Sequence, residues 1–262
     1  MYDEGEQPSE ELRQFYREAI VWRYLRHPNI VPFHGIDRAT CLPHSAALVS
    51  DWMHHGTLLD YLAIHTVADR LKLAIDMAEG LRYLHEMNIL HGDLKSANIL
   101  VSKQHKACLT DFGLAEYYSD VFSADYSEAF SVRWAAPERL DPENYGLTSS
   151  RASKQSDVYA LSMTIWETFT GRTPIHSYAK NIAKVPHSIL SGDRPRRPPQ
   201  ATKLGLSDEL WALMEACWHA DPQSRPDIAA VVACLGYELW RRDEDSVGNA
   251  PDEWPLAMDY PL

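Results

Sequence analysis

The stretch His91-Gly92-Asp93-Leu94-Lys95-Ser96-Ala97-Asn98-Ile99-Leu100 sets an acid, a lysine two residues on and an amide three further between an amphipathic pattern and an apolar pair. Such a pattern describes a loop held between packed elements. Leu109-Thr110-Asp111-Phe112-Gly113 adds a second acid beside a turn glycine. Together the two segments supply a carboxylate to orient a hydroxyl, an ammonium for a phosphate, and an amide and a carboxylate as hard oxygen ligands for magnesium. Those are the requirements of phosphoryl transfer.

The two segments resemble the catalytic loop and the magnesium loop of protein kinases, whose usual forms are H-R-D-L-x-x-x-N and D-F-G. The resemblance continues through Ser131-Val132-Arg133-Trp134-Ala135-Ala136-Pro137-Glu138, Ser156-Asp157-Val158-Tyr159 and Trp218-His219-Ala220-Asp221-Pro222-Gln223-Ser224-Arg225-Pro226. It implies an α+β, protein-kinase-like fold: a kinase domain over 9–242 with a truncated small-lobe remnant (9–51), a hinge (51–53) and a mostly helical lobe (54–242). By the same resemblance Asp93 is the carboxylate that orients the substrate hydroxyl and takes its proton, Lys95 neutralises the moving phosphate, and Asn98 and Asp111 hold magnesium. Ser50, Asp51, Met53 and Leu100 would surround the adenine of ATP. His91, Phe112 and Gly113 shape the two loops, Arg225 pairs with Glu138, and Asp157 anchors the loop backbone near His91. An L-K-x-x-N loop is similar to serine/threonine kinases, whereas Arg133-Trp134 is common in tyrosine and tyrosine-kinase-like families. The combination implies the tyrosine-kinase-like group with Ser/Thr preference.

Outward from the loop, residues 9–25 read as a helix with Ser9 as N-cap and Glu10 and Glu11 in the favourable first turn. Phe15, Glu18, Trp22 and Leu25 recur at helical spacing, so Glu18 stands on the apolar face and needs a partner. In kinases the equivalent helix offers its glutamate to a strand lysine that grips the nucleotide. Here the first lysine of the sequence is Lys72 and Gly5 is the one glycine before Gly35, so a glycine-rich loop and that lysine are not among these residues. Two strands, about 30–36 and 46–51, are expected ahead of the hinge, with one edge left open. Later helices are expected over about 57–62, from Thr66 or Asp69 to His85, and over about 157–169 (Asp157 acting first as a cap), 179–190, 207–218 and 227–241. Gly92 replaces the arginine that in the family binds a phosphorylated activation segment, so phosphorylation of Ser123 or Tyr126 should order that segment less. The string H-G-D also occurs in small-molecule phosphotransferases; Ala136-Pro137-Glu138, Asp157 and the 221–226 motif oppose that reading.

The 262 residues are 45% hydrophobic, enough for one large or two small domains with a buried core. A net charge of −12 argues against nucleic acid or an anionic membrane surface as the main partner. The four cysteines lack metal-ligand spacing and suit a reducing compartment. The acidic start is unlike a signal peptide, and the apolar run 158–169 carries Glu167 and falls short of the ~20 residues that span a bilayer. An intracellular, cytoplasmic protein is expected, with ATP and a protein substrate or docking partner and neither nucleic acid nor membrane. Residues 243–262, acidic and proline-bearing, are expected to be a disordered tail. The alternative to an enzyme is a truncated pseudokinase that serves as a docking module.

Overall fold

A computed structural model describes residues 9–38, 46–112, 116–117, 131–175, 182–242 and 250–258. Helix α1 (Glu10–Tyr24) is followed by strands β1 (Phe33–Asp37) and β2 (Ala47–Ser50), which pair antiparallel. Then come α2 (Leu58–Ile64), α3 (Arg70–Glu86), β3 (Ile89–Leu90), β4 (Ile99–Val101), β5 (Ala107–Leu109) and β6 (Glu116–Tyr117). The described remainder is helical: α4 (Pro137–Leu140), α5 (Lys154–Thr170), α6 (Val185–Leu190), α7 (Asp208–Cys217) and α8 (Ile228–Arg241). The fold is α+β, with little strand and a large helical lobe.

Helix starts follow the polar residues that satisfy free amide groups. Ser9 accepts from the Leu12 N–H, Asp69 from Lys72, Ser207 from Leu210 and Asp227 from Ala230. Thr57 with Asp60, and Ser153 with Ser156, make reciprocal capping boxes. Each cap contributes ~1 kcal/mol. Ser153, rather than Asp157, therefore starts α5, and Asp157 is freed for another role one turn inside.

The core is built around α5, whose residues from Ser156 to Thr170 are all buried. Tyr159, Trp166 and Phe169 of α5 belong to one apolar cluster with Met77, Leu81 and Leu84 of α3. The hydroxyls of Thr164, Thr168 and Thr170 donate to carbonyls one turn back at 2.8–2.9 Å, so the buried threonines leave no donor unpaired. α3 and α8 pack together, as do α5 and α7.

Three expected boundaries shift for physical reasons. The first strand starts at Phe33 because Pro32 has no N–H to give; Ile30 instead bridges Leu109, whose carbonyl accepts the Val31 N–H at 3.0 Å. The described part of the expected helix 179–190 is a 3₁₀ turn, Ile182–Lys184, leading into α6 with Pro186 in its first turn. Residues 250–258, expected to be disordered, lie against the end of α5, with Leu256 only 2% exposed. Composition misreads this segment because a few apolar contacts, from Trp254 and Leu256, outweigh its acidic residues.

Candidate functional site

Asp93 stands at the centre of a cluster of donors. Lys95 Nζ donates to one carboxylate oxygen at 2.6 Å, and Asn98 Nδ2 donates to the same oxygen at 3.1 Å and to the Asp93 carbonyl at 2.8 Å. The Ser131 N–H donates to the other oxygen at 3.2 Å, and the Ser131 hydroxyl accepts from Lys95 Nζ at 2.7 Å. The chain thus brings Asp93, Lys95 and Asn98 together, as their spacing suggested, and adds Ser131 from 38 residues away. In the sequence Ser131 is one hydroxyl in a Ser- and Tyr-rich segment, with no signal that it reaches Asp93.

The loop takes its shape from α5. Asp157, buried, accepts from the His91 N–H at 2.9 Å, the Gly92 N–H at 3.0 Å and His85 Nε2 at 3.0 Å. Burial pushes its carboxyl up, but the His85 bond, the neighbouring imidazoles and the Gly92 amide together hold it below the usual carboxylate range. One end of α5 further on, Glu167 accepts from the Ser96 N–H at 3.1 Å, the Ser96 hydroxyl at 3.0 Å and Trp134 Nε1 at 2.7 Å. Burial pushes the Glu167 carboxyl up to about 7 against those hydrogen bonds. A lone charge inside an otherwise apolar helix was the sequence signal for this residue.

Gly92 has φ +79°, a left-handed backbone that suits glycine, and its carbonyl accepts from Arg139 Nη1 at 2.6 Å. Burial lowers the pKa of His91, whose Nε2 has no hydrogen-bond partner among the described residues. The His91 ring lies 5.7 Å from that of Phe112, which is 5.7 Å from Trp22, itself stacked on Phe33 at 5.1 Å. This column of rings joins β1, α1, the segment that carries Asp111 and the loop that carries Asp93. Trp22 and Phe33 were legible only as apolar positions, because ring stacking between separate elements leaves no local pattern.

Asp111 is exposed, with φ +64°, a conformation that costs a non-glycine residue of order 1 kcal/mol or more. Glu18 on α1 is half-buried beside it and accepts from the Phe112 N–H. Burial raises the Glu18 pKa, the Asp111 charge raises it further, and the Phe112 amide opposes both. No cation among the described residues pairs with Glu18.

At the expected hinge, the Asp51 N–H donates to the Pro32 carbonyl at 3.1 Å and its side chain meets His34 Nε2 at 2.6 Å. The Ser50 hydroxyl donates to the Asp51 carbonyl at 3.4 Å, Met53 is buried, and Leu100 in β4 faces Cys108 of β5. Trp52 is 81% exposed, and Ile36 and Val49 on the two-stranded sheet are 38% and 39% exposed. Arg225 grips Glu138 with two bonds of 2.7 Å, both side chains buried. Gly113, Ser123 and Tyr126 lie outside the described residues.

The oxygen donors present suit a hard cation: Asn98 Nδ2 is turned to Asp93, which leaves its amide oxygen for another partner, and Asp111 is open to solvent. Among the described residues no group of three His, Cys, Asp or Glu side chains is arranged as a metal cage. Magnesium commonly uses only one or two protein ligands alongside phosphate and water, so these residues fit it.

A two-lobed arrangement of a small sheet and helix over a helical lobe, with an acid–lysine–amide loop anchored on a buried helix, is the architecture of a protein-kinase-like domain. The family model for protein tyrosine and serine/threonine kinases matches residues 2–235, and the chain belongs to that family. It is 31% identical over 233 residues to the serine/threonine-protein kinase STY17 of Arabidopsis thaliana, covering 87% of this chain and 38% of that protein. Similarity to the serine/threonine-protein kinase CTR1 of the same plant is 32% over 87% of this chain and 27% of CTR1. The tyrosine-protein kinase Abl of Drosophila melanogaster is 32% identical over 92% of this chain and 14% of Abl. The chain therefore spans well under half the length of these relatives. No helix among the described residues is long and apolar enough to cross a membrane.

Proposed function

We propose that this chain binds ATP with magnesium and transfers the terminal phosphoryl group to a serine or threonine hydroxyl of a protein. The observation that carries this reading is the Asp93 carboxylate, held by donors from Lys95, Asn98 and Ser131. So held, Asp93 can orient an incoming hydroxyl and accept its proton on a carboxylate oxygen. Lys95, beside it, compensates negative charge that gathers as the phosphoryl group moves. The Asn98 amide oxygen and the Asp111 carboxylate would hold magnesium, which when bound neutralises the phosphate oxygens. Asp157 and Glu167 hold the loop so that these groups need not reorganise during the reaction. Ser/Thr preference rests on the lysine two residues after Asp93 and on the similarity to the serine/threonine-protein kinases STY17 and CTR1. Ser50, Asp51, Met53 and Leu100 are the residues proposed to face the adenine.

A second reading, a docking module without catalysis, is favoured by Glu18, which lies beside Asp111 with no cation to pair with it among the described residues. The two readings separate in one experiment. Thermal unfolding of the full chain with ATP, magnesium present or chelated, is compared with Asp111→Asn. A site filled a hundredfold above its Kd adds ~2.7 kcal/mol and moves the midpoint by roughly 5–10 °C. A magnesium-dependent rise that Asp111→Asn abolishes supports the enzyme, and phosphotransfer lost in Asp93→Ala then assigns the acid. A cooperative transition indifferent to ATP and magnesium leaves the docking module.

A further inference from the structure

Two consecutive residues at the start of α3 hold the two ends of the segment that follows α8. Arg242 Nη1 donates to Asp69 at 2.9 Å, within a bidentate pair. Arg70, the next residue, lies under the ring of Trp254, 4.7 Å from its centroid. Just past Trp254, the Leu256 N–H donates to the Thr170 carbonyl of α5 at 2.9 Å. Arg172 then donates to two successive carbonyls, from Nε to Leu256 at 2.9 Å and from Nη2 to Pro255 at 3.3 Å.

Arg70 gives this contact its specificity. It is 1% exposed and has no carboxylate partner among the described residues. Its Nε donates to the Thr168 carbonyl and its Nη1 to those of Thr66 and Ala68, while Nη2 finds no acceptor. Burial lowers its pKa to about 10. A buried cation short of acceptors is costly, and the face of an indole is the neutral group best able to offset that cost. Beside it, Gly171 has φ +69°, and a Cβ there would come within 2.8–2.9 Å of Trp254 and Pro255. The glycine is thus a seat as well as a helix cap.

We propose that Arg70, Thr170, Gly171 and Arg172 form a peptide-recognition site for a Trp-Pro-aliphatic sequence, filled by the chain's own Trp254, Pro255 and Leu256. Each part selects. Arg70 calls for an aromatic face; Arg172 reads two carbonyls, one from a proline that has no N–H to leave unpaired. Thr170 takes the amide that follows the proline, and the aliphatic side chain enters the core cluster. This site is separate from the catalytic loop, so it stands whether or not the chain transfers phosphate.

The test uses the full chain carrying Trp254→Ala and Leu256→Ala, which empties the site, and a fluorescent peptide with the sequence of residues 250–258. The peptide should bind the emptied protein and bind the unaltered chain at least ~10-fold more weakly, because the native tail competes at an effective concentration of order millimolar. Adding Gly171→Ala to the emptied protein should abolish binding. Binding to neither protein, or equally to both, overturns the proposal. Should the double variant fail to fold, hydrogen exchange on the unaltered chain decides: a Leu256 amide slowed at least ~10-fold supports the site, and exchange at the free-peptide rate overturns it.

Discussion

Replacing Glu167 by glutamine should leave the protein equally stable in mild acid and make it more stable above neutrality. Burial raises the Glu167 carboxyl from 4.5 to about 7. The folded protein therefore keeps a proton between those values that the unfolded chain has released. Where the folded state binds more protons, stability falls as pH rises. The contribution is complete below 4.5, declines through the window up to about 7, and is flat beyond it. At ~1.4 kcal/mol per unit the whole loss is ~3 kcal/mol. Glutamine imitates the protonated acid: its oxygen can accept from Trp134 Nε1 and the Ser96 N–H, as Oε2 does, while its amide donates to the Ser96 hydroxyl. Urea denaturation at pH 5 and pH 8 measures both proteins, and subtracting one profile from the other cancels every other titrating group. The expected result is near equality at pH 5, within ~1 kcal/mol, and an advantage of roughly 2–3 kcal/mol for Glu167→Gln at pH 8. A difference profile flat across that range, or a variant weaker at both pH values, would refute the reasoning.

Removing one member of the buried Glu138–Arg225 pair, as in Glu138→Ala, leaves an uncompensated cation and should cost ~3–5 kcal/mol in denaturant unfolding, whereas replacing both by apolar residues of like volume should recover much of it. Gly80→Ala in α3 should destabilise by ~1–3 kcal/mol despite alanine's helix preference, because its Cβ would come 2.7 Å from the Asn29 carbonyl oxygen; an equal or higher midpoint would contradict this packing. Trp22→Ala breaks the ring column and the 2.6 Å bond to the Val31 carbonyl, and should cost ~3–5 kcal/mol with faster hydrogen exchange in both α1 and the catalytic loop.

Local chemistry made much of this legible in the sequence. Asp93, Lys95 and Asn98 are five residues apart at most, so one turn of loop gathers them, and caps such as Ser9, Ser207 and Asp227 announce their helices without help from the fold. What depends on distant partners was hidden. Ser131 reaches Asp93 only because the segment before Trp134 is tied to Glu167. Asp157 looked like a helix cap by its place at the polar–apolar border, and only the resemblance to kinases pointed to its hold on the backbone near His91; Ser153 starts the helix one turn earlier and turns the acid inward. The tail was misread by composition, since the groups that hold residues 254–256, Arg70 and Arg172, lie more than 80 residues away.

The loop that carries Asp93 borrows its shape from residues made much later. Its amides wait for Asp157, 65 and 66 positions downstream, and Ser96 waits for Glu167, 71 positions downstream. During synthesis, then, the nascent chain exposes this loop for as long as it takes to add about seventy residues, several seconds at ~5–20 residues per second. In that interval its polar groups are paired with water, while Leu94 and Ile99, buried in the finished fold, remain exposed apolar surface until α5 is made.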